Sequence, residues 1–150
     1  MLRCGPPRFQ RIAGHTAMEA QNSSIYSIIG GAALADLAES LYRRIGSDAE
    51  LRRMFSSDLG PESEAVRDMR EFLVQFFGGP AEYSERKGHP RLRARHMRFP
   101  IDQRAREAWL GHALGALDEV AGRHRITPEV VEAISGYLHH TSQFMVNRPA

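Results

Sequence analysis

The chain has 150 residues, 42% hydrophobic and 25% charged, with a formal net charge of +2 and an isoelectric point near 9.0. That length and balance suit one globular domain and exclude extensive disorder, and so small a charge excess gives little reason to expect a polyanionic partner. Cys4 is the only cysteine, which excludes intramolecular disulfides and thiolate zinc clusters and fits a reducing cytoplasm.

Residues 1–22, "MLRCGPPRFQRIAGHTAMEAQN", mix Pro, Gly and Arg without an apolar core of signal-peptide length and read as a flexible extension, with Met18 as an alternative start. From residue 23 a single domain runs to residue 150. Ile28 and Ile29, then Leu34, Leu37, Leu41 and Ile45, keep three-and-four spacing around Gly30-Gly31. This predicts a short helix, a glycine break, and a helix of about four turns closing near Gly46. Ser47 and Glu50 are spaced as a capping box for a short helix to Met54.

After the loop "FSSDLG", Pro61 suits the first turn of a helix. Ala65, Met69, Phe72 and Phe76 line one face of it, with Val66, Leu73 and Phe77 beside them, and Gly78-Gly79-Pro80 stops it. Residues 80–89 read as irregular. Pro90 opens a helix that cannot pass Phe99, because Pro100 forces its predecessor out of helical conformation. Asp102 is the expected N-cap of a long helix with Ala105, Trp109, His112 or Ala113, Ala116 and Val120 inward. Thr127-Pro128-Glu129 opens the last, which carries Val130, Val131, Ile134, Tyr137, Leu138, Thr141, Phe144 and Met145. No alternating strand pattern and no repeat appears, so the fold class is all-α. No apolar run approaches the roughly 20 residues that span a bilayer, and no membrane partner is expected.

Short helices tucked between long ones leave a gap that either a large apolar cofactor or a plain helical core fills. The run "GHPRLRARHMRFP", residues 88–100, holds four arginines, two histidines and no acid. As a basic helix it could meet phosphates, but it is brief and interleaved with Leu92, Met97 and Phe99, so nucleic acid is not the expected partner. His96 ends the proline-framed helix, where a histidine either complements the helix dipole or, with one nitrogen held by a carbonyl, offers the other to iron. Trp109 and Tyr42 are either core residues or apolar-bodied donors facing a shared cavity, suited to a polar diatomic ligand. His139-His140 and His89 lack the helical spacing of a zinc site. No phosphate loop, nucleophile elbow or carboxylate pair is present.

Taken together, "GGPAEYSERKGHPRLRARHMRFPI" at residues 78–101, "REAWL" at 106–110, "SIIGGAALADLAESLYRRI" and the closing "HHTSQFMVN" resemble the group II (O-type) truncated haemoglobins over about residues 24–148. The resemblance implies a truncated globin fold, a two-over-two helical sandwich around haem b. It puts His96 at the proximal iron ligand, and Tyr42, Trp109, Phe55, Ala65 and Met69 around the distal ligand. It puts Phe72, Tyr83, Arg95, Phe99 and Ile101 against the cofactor, Tyr83 near a propionate. Two departures stand out. The stretch between Phe55 and Phe72 is a few residues longer than usual, which shifts the register of Ala65 and Met69. Asp68 falls where members often carry a cation for a propionate, leaving Arg67 or Arg70 as substitutes.

The implied function is reversible oxygen binding at a histidine-held iron by a cytoplasmic monomer or homodimer. Nitric oxide, carbon monoxide and peroxide are further ligands. The alternatives are redox catalysis at the same iron, as nitric oxide dioxygenase or peroxidase with a reductase partner, and a cofactor-free helical interaction module.

Overall fold

The computed structural model describes residues 15–55 and 58–149, so Cys4 and the first 14 residues of the expected extension lie outside the described residues. Among the described residues every regular element is an α-helix. The first, α1 (His15–Gly46), starts within the stretch expected to be an extension and is broken at Gly30, whose φ of 84° and ψ of 168° suit a residue without Cβ. Beyond that break Ala33, Leu34, Leu37, Ala38, Leu41 and Ile45 are all buried, as their spacing predicts.

The part of that helix just before the break is tied to the end of α3 (Glu64–Phe76). Tyr26 donates its backbone N–H to the Phe77 carbonyl at 2.9 Å, and a Cβ on Gly79 would lie 2.6 Å from Val74 and 2.8 Å from the Tyr26 ring. Gly79 is therefore demanded by space.

Four local expectations are corrected. The cap of α2 (Ala49–Arg52) is Asp48 rather than Ser47, because its carboxylate accepts from both Glu50 N at 3.1 Å and Leu51 N at 3.2 Å. Pro61 lies in a turn before α3, which Ser63 caps by accepting from Val66 N at 3.2 Å. The stretch 80–89 contains α4 (Glu82–Lys87), which has no cap of its own; the Gln75 side chain accepts from Ser84 N at 2.9 Å and donates to the Ser84 hydroxyl at 2.7 Å. Phe144, expected inward, is 54% exposed, with the Arg93 guanidinium 5.7 Å from its ring centre.

The remaining helices are α5 (Leu92–His96), α6 (Gln103–His124) and α7 (Pro128–Phe144). Asp102 caps α6 through Ala105 N at 2.8 Å, and Pro128 opens α7, although Thr127 makes no side-chain cap bond. Of the alternatives on α6, Ala113 is buried, while His112 faces Asp48 at 2.8 Å. His139 and His140 are both exposed. α1 packs chiefly on α6 and α3, and α7 on α6, giving two helix pairs, α1/α3 and α6/α7. Between them Val66, Leu73, Phe77, Leu117, Val120, Ile134 and Tyr137 complete one core, each large apolar side chain stabilising the fold by about 1.5–3 kcal/mol.

Candidate functional site

The two helix pairs do not close on each other everywhere. Beside the short α5, a cavity of about 400 Å3 opens, within the range that takes a sizeable organic cofactor. Leu37, Leu41 and Tyr42 reach it from α1, Met54 and Phe55 from the turn after α2, Met69 and Phe72 from α3, and Tyr83 from α4. Across from them stand Leu92, Arg95 and His96 of α5, then Phe99 and Ile101, with Trp109 of α6 and Tyr137, Leu138 and Met145 from α7 and its end.

Of the expected site residues, Tyr42, Phe55, Met69, Phe72, Tyr83, Arg95, His96, Phe99, Ile101 and Trp109 therefore share one cavity. Ala65 does not join them. It sits one turn before Met69 and packs on the core.

His96 is half-buried at the C-terminal end of α5. Its Nδ1 lies 2.6 Å from the Leu92 carbonyl oxygen. A carbonyl only accepts, so Nδ1 is the donor, and in the neutral ring Nε2 then keeps the lone pair that a metal ligand requires. Among the described residues no group of three or more His, Cys, Asp or Glu side chains gathers as a metal cage; His96 is a single nitrogen donor in an apolar setting.

Tyr42 is 8% exposed, and its ring meets the Phe55 ring edge-on at 5.8 Å between centres. Burial, reinforced by the negative charge of Asp68, pushes its phenol up to about 12, so the hydroxyl stays protonated and able to donate. Neither that hydroxyl nor the Trp109 indole N–H has a hydrogen-bond partner among the described residues.

One edge of the cavity is cationic. The Arg95 guanidinium stands 5.8 Å from the Tyr83 ring centre and bonds the carbonyls of Pro90 at 2.6 Å and Lys87 at 3.1 Å. Arg98 lies 5.0 Å from the Phe99 ring centre, and Arg106 bonds the Ser142 hydroxyl and the His139 carbonyl, each at 2.9 Å. Asp68 also lines the cavity, but Arg86 and Lys87 hold it; burial alone would raise its pKa, and their hydrogen bonds bring it below the ordinary carboxylate value. The expected substitutes do not reach this edge. Arg67 is spent on Glu71 at 3.1 Å, and neither Arg67 nor Arg70 lines the cavity.

Sequence reasoning missed Asn147. Its side chain donates to the His96 carbonyl at 3.2 Å and accepts from Ile101 N at 3.0 Å, while its backbone N–H bonds the Ile101 carbonyl at 2.9 Å. No periodicity marks a residue beyond the last helix for such a task. The cavity thus combines apolar walls, nearby arginines and one ring nitrogen, chemistry that suits an apolar group with acidic substituents.

Comparison with known proteins agrees with that chemistry. Residues 24–144 match the bacterial-like globin family. The chain is 39% identical to group 2 truncated hemoglobin YjbI of Bacillus subtilis over 82% of its own length and 88% of that protein. Among solved structures it resembles the hemoglobin of Chloroflexus aurantiacus, at 42% identity and a TM-score of 0.75 over 83% of this chain and 98% of that one. It also resembles a truncated oxygen-avid haemoglobin from Bacillus subtilis, at 39% identity and a TM-score of 0.74 over 82% and 98%. The chain belongs to the bacterial-like globin family and, within it, to the group II truncated haemoglobins.

Proposed function

We propose that the protein holds haem b through His96 and reversibly binds oxygen in the cavity beneath Tyr42 and Trp109. The observation that carries this reading is the His96 imidazole, with Nδ1 fixed on the Leu92 carbonyl at 2.6 Å at the wall of an apolar cavity with a cationic rim. The residues fit the group: apolar walls for a macrocycle, Arg95, Arg98 and Arg106 beside its acidic substituents, and one ring nitrogen for iron. With one cysteine and no Cys-x-x-Cys-His run, the sequence favours a non-covalent, b-type cofactor.

When bound, haem supplies the iron at which a diatomic ligand is held. The chain's own residues supply the rest. Phe55, Met69 and Leu41 keep water away, and the Tyr42 hydroxyl and Trp109 N–H are donors for a ligand that carries partial negative charge. Nitric oxide and carbon monoxide fit the same space. The resemblance to an oxygen-avid haemoglobin supports oxygen as the ligand, and the single cysteine supports a cytoplasmic location. Among the described residues no helix is long and apolar enough to cross a membrane.

The test is optical. Haemin added to the purified chain should bind at one equivalent with a sharp Soret band, and the reduced protein should pass reversibly between deoxy and oxy spectra. A chain that, once unbound haemin is removed, retains no Soret absorption overturns the reading.

A further inference from the structure

The iron ligand proposed above rides on a helix poorly equipped to hold it. α5 has five residues, none of them buried, and its N-cap Arg91 is left-handed with φ 46° and makes no side-chain cap bond. So short a helix is unstable by itself, and the carbonyls of its last turn lack helical partners. The His96 carbonyl is one of them. It receives the Phe99 N–H at 3.0 Å and the Asn147 side-chain amide at 3.2 Å, a donor from the far end of the chain.

The same side chain accepts from Ile101 N at 3.0 Å, and Asn147 N and Arg148 N close on the Ile101 carbonyl at 2.9 and 3.1 Å. Asn147 therefore grips both ends of the turn from His96 to Ile101. The imidazole is coupled to that grip, because Nδ1 is pinned to the Leu92 carbonyl and so turns with the α5 backbone.

We propose that Asn147 is a positioning residue for the haem ligand: its bond to the His96 carbonyl fixes the turn of α5 and with it the approach of the His96 Nε2 to iron. The partner of the other ring nitrogen sets a ligating histidine's orientation and metal affinity; here that partner is the Leu92 carbonyl, and Asn147 acts on it through the backbone of the turn. The inference rests on the haem-binding reading of His96.

The experiment compares the full-length wild type, Asn147→Ala, Asn147→Asp and the control Gln143→Ala, each reconstituted with haemin. Gln143 is exposed and bonds the Gln103 side chain at 3.0 Å, close to the clasp but off it. Asn147→Asp keeps an acceptor for Ile101 N and replaces the donor to His96 with a carboxylate oxygen, so it separates the His96 bond from the rest of the clasp. Two quantities are read: the iron–histidine stretching band of the reduced protein by resonance Raman, and the rate of haem transfer to an excess of apoglobin acceptor.

Both Asn147 variants should shift the band; Asn147→Asp should lose haem roughly fivefold faster, the factor expected for one hydrogen bond, and Asn147→Ala, which loses both side-chain bonds, at least as fast; Gln143→Ala should match wild type. If Asn147→Asp keeps the wild-type band and rate, or Gln143→Ala reproduces the Asn147→Ala effect, the inference is overturned. Failure of the wild type to take up one equivalent of haem instead overturns the functional reading beneath it.

Discussion

The two walls of the cavity are built by different means. Tyr42 and Trp109 stand on long helices, α1 and α6, whose positions are set by a seam of fully buried side chains such as Leu34, Ala38, Ala116 and Leu117. Facing them, His96 stands on five residues with no buried side chain and no cap, held by backbone carbonyls and by Asn147. Packing fixes the donor wall and hydrogen bonds fix the ligand wall. The donor wall should therefore fail globally when damaged, and the ligand wall locally.

The largest break comes at the ligand wall. His96→Ala should abolish stoichiometric haem uptake while far-ultraviolet circular dichroism keeps its helical signal, since no core contact is removed. Haemin titration followed at the Soret band checks the first half, and a parallel loss of helix would contradict the second.

Leu34→Ala is the matching lesion in the donor wall. Leu34 is fully buried, and truncation should lower unfolding free energy by about 2–5 kcal/mol through lost burial and the cavity left behind. Urea unfolding of the apoprotein measures it; a loss under about 1 kcal/mol would mean that the seam relaxes to fill the gap.

The comparison is sharpened by substitutions that leave both walls standing. Tyr42→Phe removes one donor and almost no volume, Trp109→Phe one donor and part of a ring system, and each should speed oxygen dissociation roughly five- to tenfold. Stopped-flow ligand replacement reads both, and an unchanged rate in either variant removes that residue from the donor pair.

The smallest effect is electrostatic. Glu119 on α6 accepts from the Ser40 hydroxyl at 2.8 Å and from Arg43 at 2.9 Å, joining α1 to α6 outside the cavity. Ser40, opposed by burial and helped by Arg43 and Arg44, holds its carboxyl down at about 2, against an ordinary 4.5. A carboxyl depressed in the fold contributes stability that is present above its unfolded pKa and is lost as pH falls through the folded one. Between pH 4.5 and about 2 the wild type should therefore lose stability that Glu119→Gln lacks from the start, so their urea midpoints should converge in that window. Curves that coincide from neutral pH downward would show that the pair contributes nothing to the α1/α6 seam, and a constant offset would show that the Glu119 charge is not its source.

What could be read from the sequence follows the same division. The donor wall was legible because packing leaves a period: the spacing of Leu34, Leu37 and Leu41 foretold α1, and Asp102 foretold the start of α6. Pro90 and Pro100 framed α5 and brought attention to His96. Tertiary hydrogen bonds leave no such trace. The cap of α4 comes from Gln75, in a different helix, so residues 80–89 read as irregular. Asp48 outcompetes Ser47 because a carboxylate reaches two N–H groups from one position further on. Ala65 shares a helix face with Met69 and Phe72 yet lies outside the cavity, because periodicity shows which residues share a face and not how far along it the cavity reaches.

The most direct test of the account is chemical rescue at His96. His96→Gly removes the imidazole and leaves room for a free one, so haem uptake should be lost in buffer and restored to one equivalent, with a wild-type-like Soret band, when imidazole is added. A His96→Gly protein that binds haem with an unaltered spectrum in the absence of imidazole would contradict the assignment of His96 as the iron ligand.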